Sequence, residues 1–412
     1  MKKSKKILLI AFLFFLILID IYICAIDAIP SSIILFQGEE LNISTIFGIN
    51  IYNDETVLTS SSTNENNTES SGLGTTNVEV KLFNTITVKD VSVSVIERTT
   101  VIPVGQIAGL KLYTSGVLVV GMSEITGEDN QEYKPYENSG IEEGDIIVEV
   151  NETTITDTDA LIEIVNNSKG EDLEITYSRD GETQECSITP IKTSETEYKL
   201  GLWVRDSAAG IGTLTYYEPS TGYFAALGHG ITDVDTGDLL DISDGEFITT
   251  KVVSIIKGEE GTPGKIQGLI DSQQKIGTIT KNSDLGIYGI IDDITLTQID
   301  LNNSMEVALR DEIELGEATI LCSLEGETPQ EYTIEIEKIY LNNNYDNKSM
   351  LITVTDEELI EKTGGIIQGM SGCPVIQNGK FIGAVTNVLV NDPQKGYVVF
   401  GDLMIKEMKS VE

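Results

Sequence analysis

The chain opens on an apolar run. Ile7 to Ile19 carries no charge, Asp20 interrupts it, and Ile21–Ile26 resumes it behind Lys2, Lys3, Lys5 and Lys6. Read to Ile26, the run is about long enough for a membrane-spanning helix; read to Ile19, it is a signal-peptide core. Either way the lysines stay in the cytoplasm and the rest is exported. Residues 1–28 are therefore predicted to be a signal or membrane anchor, and the lack of an Ala-x-Ala pattern favours retention. Residues 29–76 read as a flexible linker region. Its centre, 53–75, is rich in Ser, Thr, Asn and Glu and nearly free of large apolar groups, so it cannot offset its ordering entropy. Exposed chain of that kind is a natural cleavage site. Alternation returns at Val78, Val80 and Leu82 and again at Val91, Val93 and Val95, which predicts a strand pair over 77–100.

Residues 101–193 show a different rhythm. Leu110–Tyr113 and Gly116–Val120 read as strands. Then Ser139-Gly140-Ile141-Glu142-Glu143-Gly144-Asp145 turns into a strand ending at Asn151. Thr158–Asn166 has helical spacing, with Leu161, Ile164 and Val165 on one face and Thr156 or Asp157 as cap. Two strands follow around Arg179-Asp180-Gly181. The S-G-I-E-E-G-D-I-I-V-E-V-N stretch and the helix after it resemble a PDZ domain. That resemblance implies capture of an extended peptide by strand addition, here through a loop at Pro103–Gly109.

From residue 194 to 412 the pattern is short strands and Gly-rich turns: Gly210–Tyr217, Tyr223–Leu227, Phe247–Ile255, Lys275–Ile279, Gly286–Ile290, Ala318–Leu321, Tyr332–Ile339, Met350–Val354 and Lys380–Thr386. This predicts an all-β sandwich or a pair of small barrels.

Charge narrows the partners. Lys plus Arg is 27 and Asp plus Glu is 66, a net −39. Binding nucleic acid needs a basic surface, so that class is excluded. The single histidine excludes a multi-histidine metal centre, and four cysteines without a Cys-x-x-Cys pair argue against structural zinc. No cofactor or metal is expected.

Two segments could carry chemistry. The sole histidine, His229, lies in Ala225-Ala226-Leu227-Gly228-His229-Gly230. Far downstream comes Gly369-Met370-Ser371-Gly372-Cys373-Pro374, leading into an apolar strand. Gly-x-Ser-Gly-x-Pro resembles the nucleophile loop of chymotrypsin-like serine peptidases. There the N–H groups of Gly369 and Ser371 would hold an oxyanion, and Gly372 would clear space for the acyl group. Serine needs a base to be nucleophilic near neutral pH, and only His229 can serve. Asp284, in Ser283-Asp284-Leu285-Gly286, and Asp356, in Thr355-Asp356-Glu357-Glu358, are candidates to orient the imidazole. Asp356 also reads as a helix N-cap with Gly364 as the stop. The surrounding negative charge is expected to raise the pKa of His229, so that activity falls in mild acid.

The P-V-G-Q-I-A-G-L-K-L-Y-T-S-G-V-L-V-V-G run, the PDZ-like unit, A-L-G-H-G, and T-D-E-E-L-I-E-K-T-G-G-I-I-Q-G-M-S-G-C-P-V-I-Q-N-G-K together resemble the SpoIVB peptidase family of endospore-forming bacteria, over about residues 77–408. The resemblance implies a mainly β chain: an N-terminal membrane segment, a PDZ domain and a chymotrypsin-like double β-barrel. It implies a serine endopeptidase that cuts itself and a membrane-bound regulator of an intramembrane protease, so that a late mother-cell sigma factor is processed. It implies a place between the two forespore membranes, and a PDZ domain that controls self-cleavage and target choice. Residue by residue, the family's nucleophile falls on Ser371, its base on His229 and its acid on Asp356. The alternative is a non-catalytic PDZ scaffold of the cell envelope.

Overall fold

The computed structural model describes residues 2–41, 49–52, 58–60, 68–70, 73–83, 85–324, 328–341 and 347–410. α1 spans Lys2–Ala28, with Phe12, Phe14, Phe15, Ile17 and Ile21 among its exposed apolar side chains. Among the described residues no helix is long and apolar enough to cross a membrane. β1 (Ser32–Phe36), β2 (Gly74–Leu82) and β3 (Ile86–Ile96) form a four-stranded sheet with Ile49–Tyr52, in the order β1, β3, β2, Ile49–Tyr52. β1 is parallel to β3, and the alternating valines of β2 and β3 bury one face against Ile29, Leu35 and Leu41. Residues 29–41, expected as linker, are thus part of this folded unit. Ile33–Phe36 is too short to show a period, so its strand character comes from the β3 edge that it covers. Residues 42–48, 53–57, 61–67 and 71–72 of the expected linker, and with them much of the segment expected to be cut, lie outside the described residues.

β4 (Thr100–Met122) is one continuous strand that serves two bodies. Its last residues pair with β5 (Ile146–Val150). Next come α2 (Thr158–Asn167), β6 (Leu173–Arg179), β7 (Glu182–Ile188) and the long β8 (Leu202–Tyr217). β5 to β7, α2 and the adjoining ends of β4 and β8 surround a core of Val117, Val119, Ile147, Leu161, Val165 and Ile175. Asp157 caps α2 by accepting from the N–H of Ala160. The Gly140–Asp145 turn is explained by Asp145, which is 1% exposed. It accepts from the Glu142 N–H at 2.7 Å and takes Arg179 through both carboxylate oxygens, at 2.6 and 2.7 Å. Arg179→Leu would leave that buried carboxylate without its cation. We expect it to lower unfolding stability by about 3 kcal/mol in a denaturant titration, whereas an unchanged midpoint would mean that water replaces the guanidinium.

The first barrel closes on β4 and β8. β9 (Tyr223–Ala226), β10 (Ile242–Ile256), β11 (Lys265–Ser283) and β12 (Gly286–Ile291) complete the path β4, β8, β9, β12, β11, β10 and back to β4. Its interior holds Leu110, Leu112, Leu214, Phe224, Phe247 and Ile279. Residues 101–114 therefore belong to the barrel, and the PDZ-like unit is inserted between the two barrel strands β4 and β8. The boundary expected at 101 falls instead inside β4. Pro103–Gly109, expected as a peptide-binding loop, is buried strand paired with β8, and its end also pairs with β10. It can capture no peptide.

The second barrel is closed by β13 (Gly316–Cys322), β14 (Gln330–Ile339), β15 (Met350–Val354), β16 (Pro374–Gln377), β17 (Lys380–Leu389) and β18 (Asp392–Phe400), in the order β13, β14, β15, β18, β17, β16. α3 (Glu357–Thr363) leaves β15, and α4 (Gly401–Lys409) follows β18. Tyr216 of the first barrel meets Phe381 of the second edge-on at 5.3 Å, and both are buried. The two barrels share this core, and the loops after β9 and before β16 meet beside it.

Candidate active site

Ser371 sits on the loop that enters β16. Gly372 follows it with φ +94°, and a Cβ there would lie 2.3 Å from the Thr213 carbonyl oxygen and 2.5 Å from the Leu227 nitrogen. The glycine is needed because the first barrel's backbone packs directly on the nucleophile loop. It does not clear space for an acyl group, as the sequence alone suggested. The loop is pinned on both sides. The Gly372 N–H donates to Val385 O at 2.7 Å, and the Thr213 N–H donates to Ser371 O at 3.0 Å.

His229 follows β9. The residue before it, Gly228, lies against Thr386 of β17, where a Cβ would come within 3.1 Å of the threonine methyl. The Ser371 hydroxyl donates to the carbonyl of that same Thr386 at 2.8 Å. Thr386 thus touches both loops, taking the Ser371 hydroxyl on its carbonyl and lying against Gly228, the residue before His229. Ser371 and His229 are brought to one place but share no hydrogen bond among the described residues. The Nδ1 of His229 lies 2.7 Å from Gly230 O. A carbonyl only accepts, so Nδ1 carries the proton and Nε2 keeps its lone pair, the tautomer a base for serine requires.

The candidate oxyanion groups are arranged by their neighbours. Gln368 O accepts from the Ile266 N–H at 2.8 Å, which turns the Gly369 N–H the other way. Gly369 has φ +102°. No acceptor among the described residues takes the N–H of Gly369 or of Ser371, so both remain for a ligand oxygen.

Asp356 is not brought to His229. Its Oδ1 accepts from the Leu359 N–H at 3.0 Å, and its Oδ2 faces the Thr333 N–H at 3.4 Å. It caps α3, and Gly364 ends that helix in the left-handed region. Asp284 is exposed, on a turn that packs against the histidine loop. A Cβ on Gly230 would lie 2.7 Å from the Ser283 carbonyl oxygen. Asn282 grips the histidine loop, accepting from the Ile231 N–H at 2.9 Å and donating to Ile231 O at 2.8 Å and to Leu240 O at 2.9 Å. No carboxylate among the described residues hydrogen-bonds His229. Asp233 and Asp235, further along that loop, are held by Arg205.

Burial lowers the pKa of His229 and outweighs the opposing effect of the Gly230 carbonyl. The expectation of a raised pKa is corrected because the ring is desolvated where it stands, and this outweighs the groups that favour its charged form. The neutral base therefore persists below the usual value near 6.5, and the acid limb of a pH–rate profile is expected below that pH. The unfolded chain binds this proton at a higher pH than the folded one. Stability should thus fall as pH drops below about 6.5 and level off below the folded pKa. A limb at or above that value would contradict the sign.

A second concave site lies on the PDZ-like unit. A groove of about 610 Å³ runs between α2 and the start of β8, lined by Leu161, Ile162, Val165, Leu200, Leu202 and Val204. Leu202–Val204 pair with β4 on one side, and among the described residues no strand pairs on the other. This is where a peptide strand could add. The signal in the sequence is Lys199-Leu200-Gly201-Leu202-Trp203, an apolar run next to a glycine.

The family model of SpoIVB peptidase S55 matches residues 196–405, just over half of the chain, and a PDZ domain model matches 114–189. A Lactococcus lactis subsp. lactis (strain IL1403) protein named as a zinc metalloprotease, LL2128, is 29% identical over 100 residues, which is 24% of this chain and 22% of that protein. The chain thus spans about a fifth of the length of this curated relative. Among solved structures, the PDZ domain of the SdrC-like protein Lmo2051 from Listeria monocytogenes is 16% identical, covering 22% of this chain and 87% of that one, with a TM-score of 0.18. The HtrA-type protease AlgW with a decapeptide is 9% identical, covering 75% and 65%, with a TM-score of 0.30.

Proposed function

Because the chain belongs to the SpoIVB peptidase S55 family, we propose that it is a serine endopeptidase in which Ser371 attacks the scissile carbonyl, His229 accepts and returns its proton, and the N–H groups of Gly369 and Ser371 hold the oxyanion. The observation that carries this reading is the meeting of the Ser371 and His229 loops on Thr386 with both N–H groups left open. As it stands, the hydroxyl points to Thr386 O and not to Nε2. We read this as a resting arrangement that a rotation of the Ser371 side chain converts to the working one. The acid is Asp284 in this reading, since Asp356 is committed to α3.

The substrates, as the family resemblance implies, are this chain itself and a membrane-bound regulator of an intramembrane protease, with self-cleavage expected within 53–77, where the composition reads as exposed chain. The setting is extracytoplasmic, between the forespore membranes, in the signalling step that leads to a late mother-cell sigma factor. The four N-terminal lysines and the exposed apolar side chains of α1 favour export through a signal or retained anchor. The PDZ groove would receive the controlling peptide. β8 begins at that groove and runs on to Thr213, which touches the nucleophile loop.

The test is a fluorophosphonate probe on the full chain. A phosphonyl adduct on the peptide that contains Ser371, absent in Ser371→Ala, supports the peptidase. No adduct in wild type, with or without peptides offered to the groove, favours the scaffold reading.

A further inference from the structure

Thr213 is fully buried on β8, and its three polar groups all bind across to the two loops of the site. Its hydroxyl donates to Gly369 O at 2.8 Å, and its N–H donates to Ser371 O at 3.0 Å. Its own carbonyl accepts from the Leu227 N–H at 3.2 Å, two residues before His229. The carbonyls it holds flank Met370, so Thr213 fixes the peptide units on either side of the one that carries the Ser371 N–H, whose own carbonyl accepts from the Cys373 N–H at 3.0 Å. A β-bulge lies just after it, between Leu214 and Tyr216. Bulges are a common way to aim strand groups at a site. Among the described residues, the hydroxyl's other polar neighbour is Cys373 Sγ at 3.8 Å, too long to replace the bond to Gly369.

We infer that Thr213 is a positioning residue of the nucleophile loop: its hydroxyl and N–H hold the loop carbonyls so that the Ser371 side chain and the two oxyanion N–H groups keep a fixed relation to His229. The inference rests on the serine endopeptidase reading. Thr213 touches no substrate and acts through Gly369 and Ser371. Removing the hydroxyl leaves Gly369 O buried without its donor, and that peptide unit is then held only from its other end, where the Met370 N–H donates to Ile367 O at 3.0 Å. Misplacement of this kind is enough to lower a rate about a hundredfold.

The experiment compares Thr213→Val, Thr213→Ala and Thr213→Ser with wild type in the full chain. The readouts are the rate of fluorophosphonate labelling at Ser371, the rate of self-cleavage and the thermal midpoint. Thr213→Val is expected to lower both rates about 10- to 100-fold. Thr213→Ser should recover to within about threefold, because it restores the donor and lacks only the methyl group. If the valine chain fails to fold, Thr213→Ala against Thr213→Ser isolates the same hydroxyl. Wild-type rates in both Val and Ala would overturn the inference. So would a serine variant as slow as valine, since packing of the methyl would then be the cause. Labelling or self-cleavage that persists in Ser371→Ala would instead overturn the peptidase reading on which the inference rests.

Discussion

Full-length Ser371→Ala is expected to stay intact while wild type accumulates discrete fragments with new ends in 53–77. The rate should fall by about 10⁴-fold or more, the scale on which serine peptidases lose turnover when the nucleophile is removed. Loss of folding would not account for this. The hydroxyl makes one hydrogen bond, to Thr386 O, and losing it costs about 1 kcal/mol. The thermal midpoint should therefore move by only a few degrees. His229→Ala should fall to a similar level, and the double variant little further, because a nucleophile without its base and a base without its nucleophile are both idle. Fragments of equal yield from wild type and Ser371→Ala would point to a contaminating protease. Intact chains from both, with no phosphonyl adduct, would remove the peptidase.

Much of this site was legible before the fold was known. Gly-x-Ser-Gly and a lone histidine between glycines are local patterns, and both lie on loops that enter or leave strands as their apolar flanks suggested. Short strands bounded by turn residues, such as Gly286–Ile290 and Met350–Val354, were read nearly to their ends, whereas only the middle of the long strand Lys265–Ser283 was read, and Asp392–Phe400 not at all. The helix after Asp356 was read with its cap and its stop. What the sequence could not show is long-range. β4 reads as two strands with a break, yet it runs unbroken because β8 pairs with it along almost its whole length. That continuity moves residues 101–114 out of the PDZ-like unit and buries Pro103–Gly109. The role of Thr213 has no sequence signal at all, since a threonine in a strand is ordinary. The sign of the His229 shift also needed the fold. Net charge is a property of the whole surface, whereas desolvation is set where the ring sits.

Asp356 carries the family resemblance, and the geometry separates it from the histidine, so the two acids make opposite forecasts. Asp356→Ala removes the cap of α3, which costs about 1 kcal/mol. Turnover per folded molecule should stay within about threefold of wild type. Asp356→Asn, which can still cap, should change neither. Asp284→Asn should lower turnover about 10- to 100-fold, for the following reason. In the resting arrangement Gly230 O fixes the tautomer of His229, but a neutral carbonyl stabilises the imidazolium that forms during attack less than a carboxylate does. A carboxylate brought within about 4–6 Å favours the charged ring by about 1–3 pKa units, and each unit is worth tenfold. Because His229 is the only histidine, its ring gives a single set of resonances, and its titration can be followed by NMR in the Ser371→Ala chain, where self-cleavage does not intrude. In the resting arrangement neither variant should move that titration, since burial and the Gly230 carbonyl set it. If Asp356→Asn moves the titration and abolishes turnover while Asp284→Asn does neither, the active chain differs from the arrangement described, and α3 must move to release its cap. If neither acid matters, His229 works with the Gly230 carbonyl alone as a serine–histidine dyad.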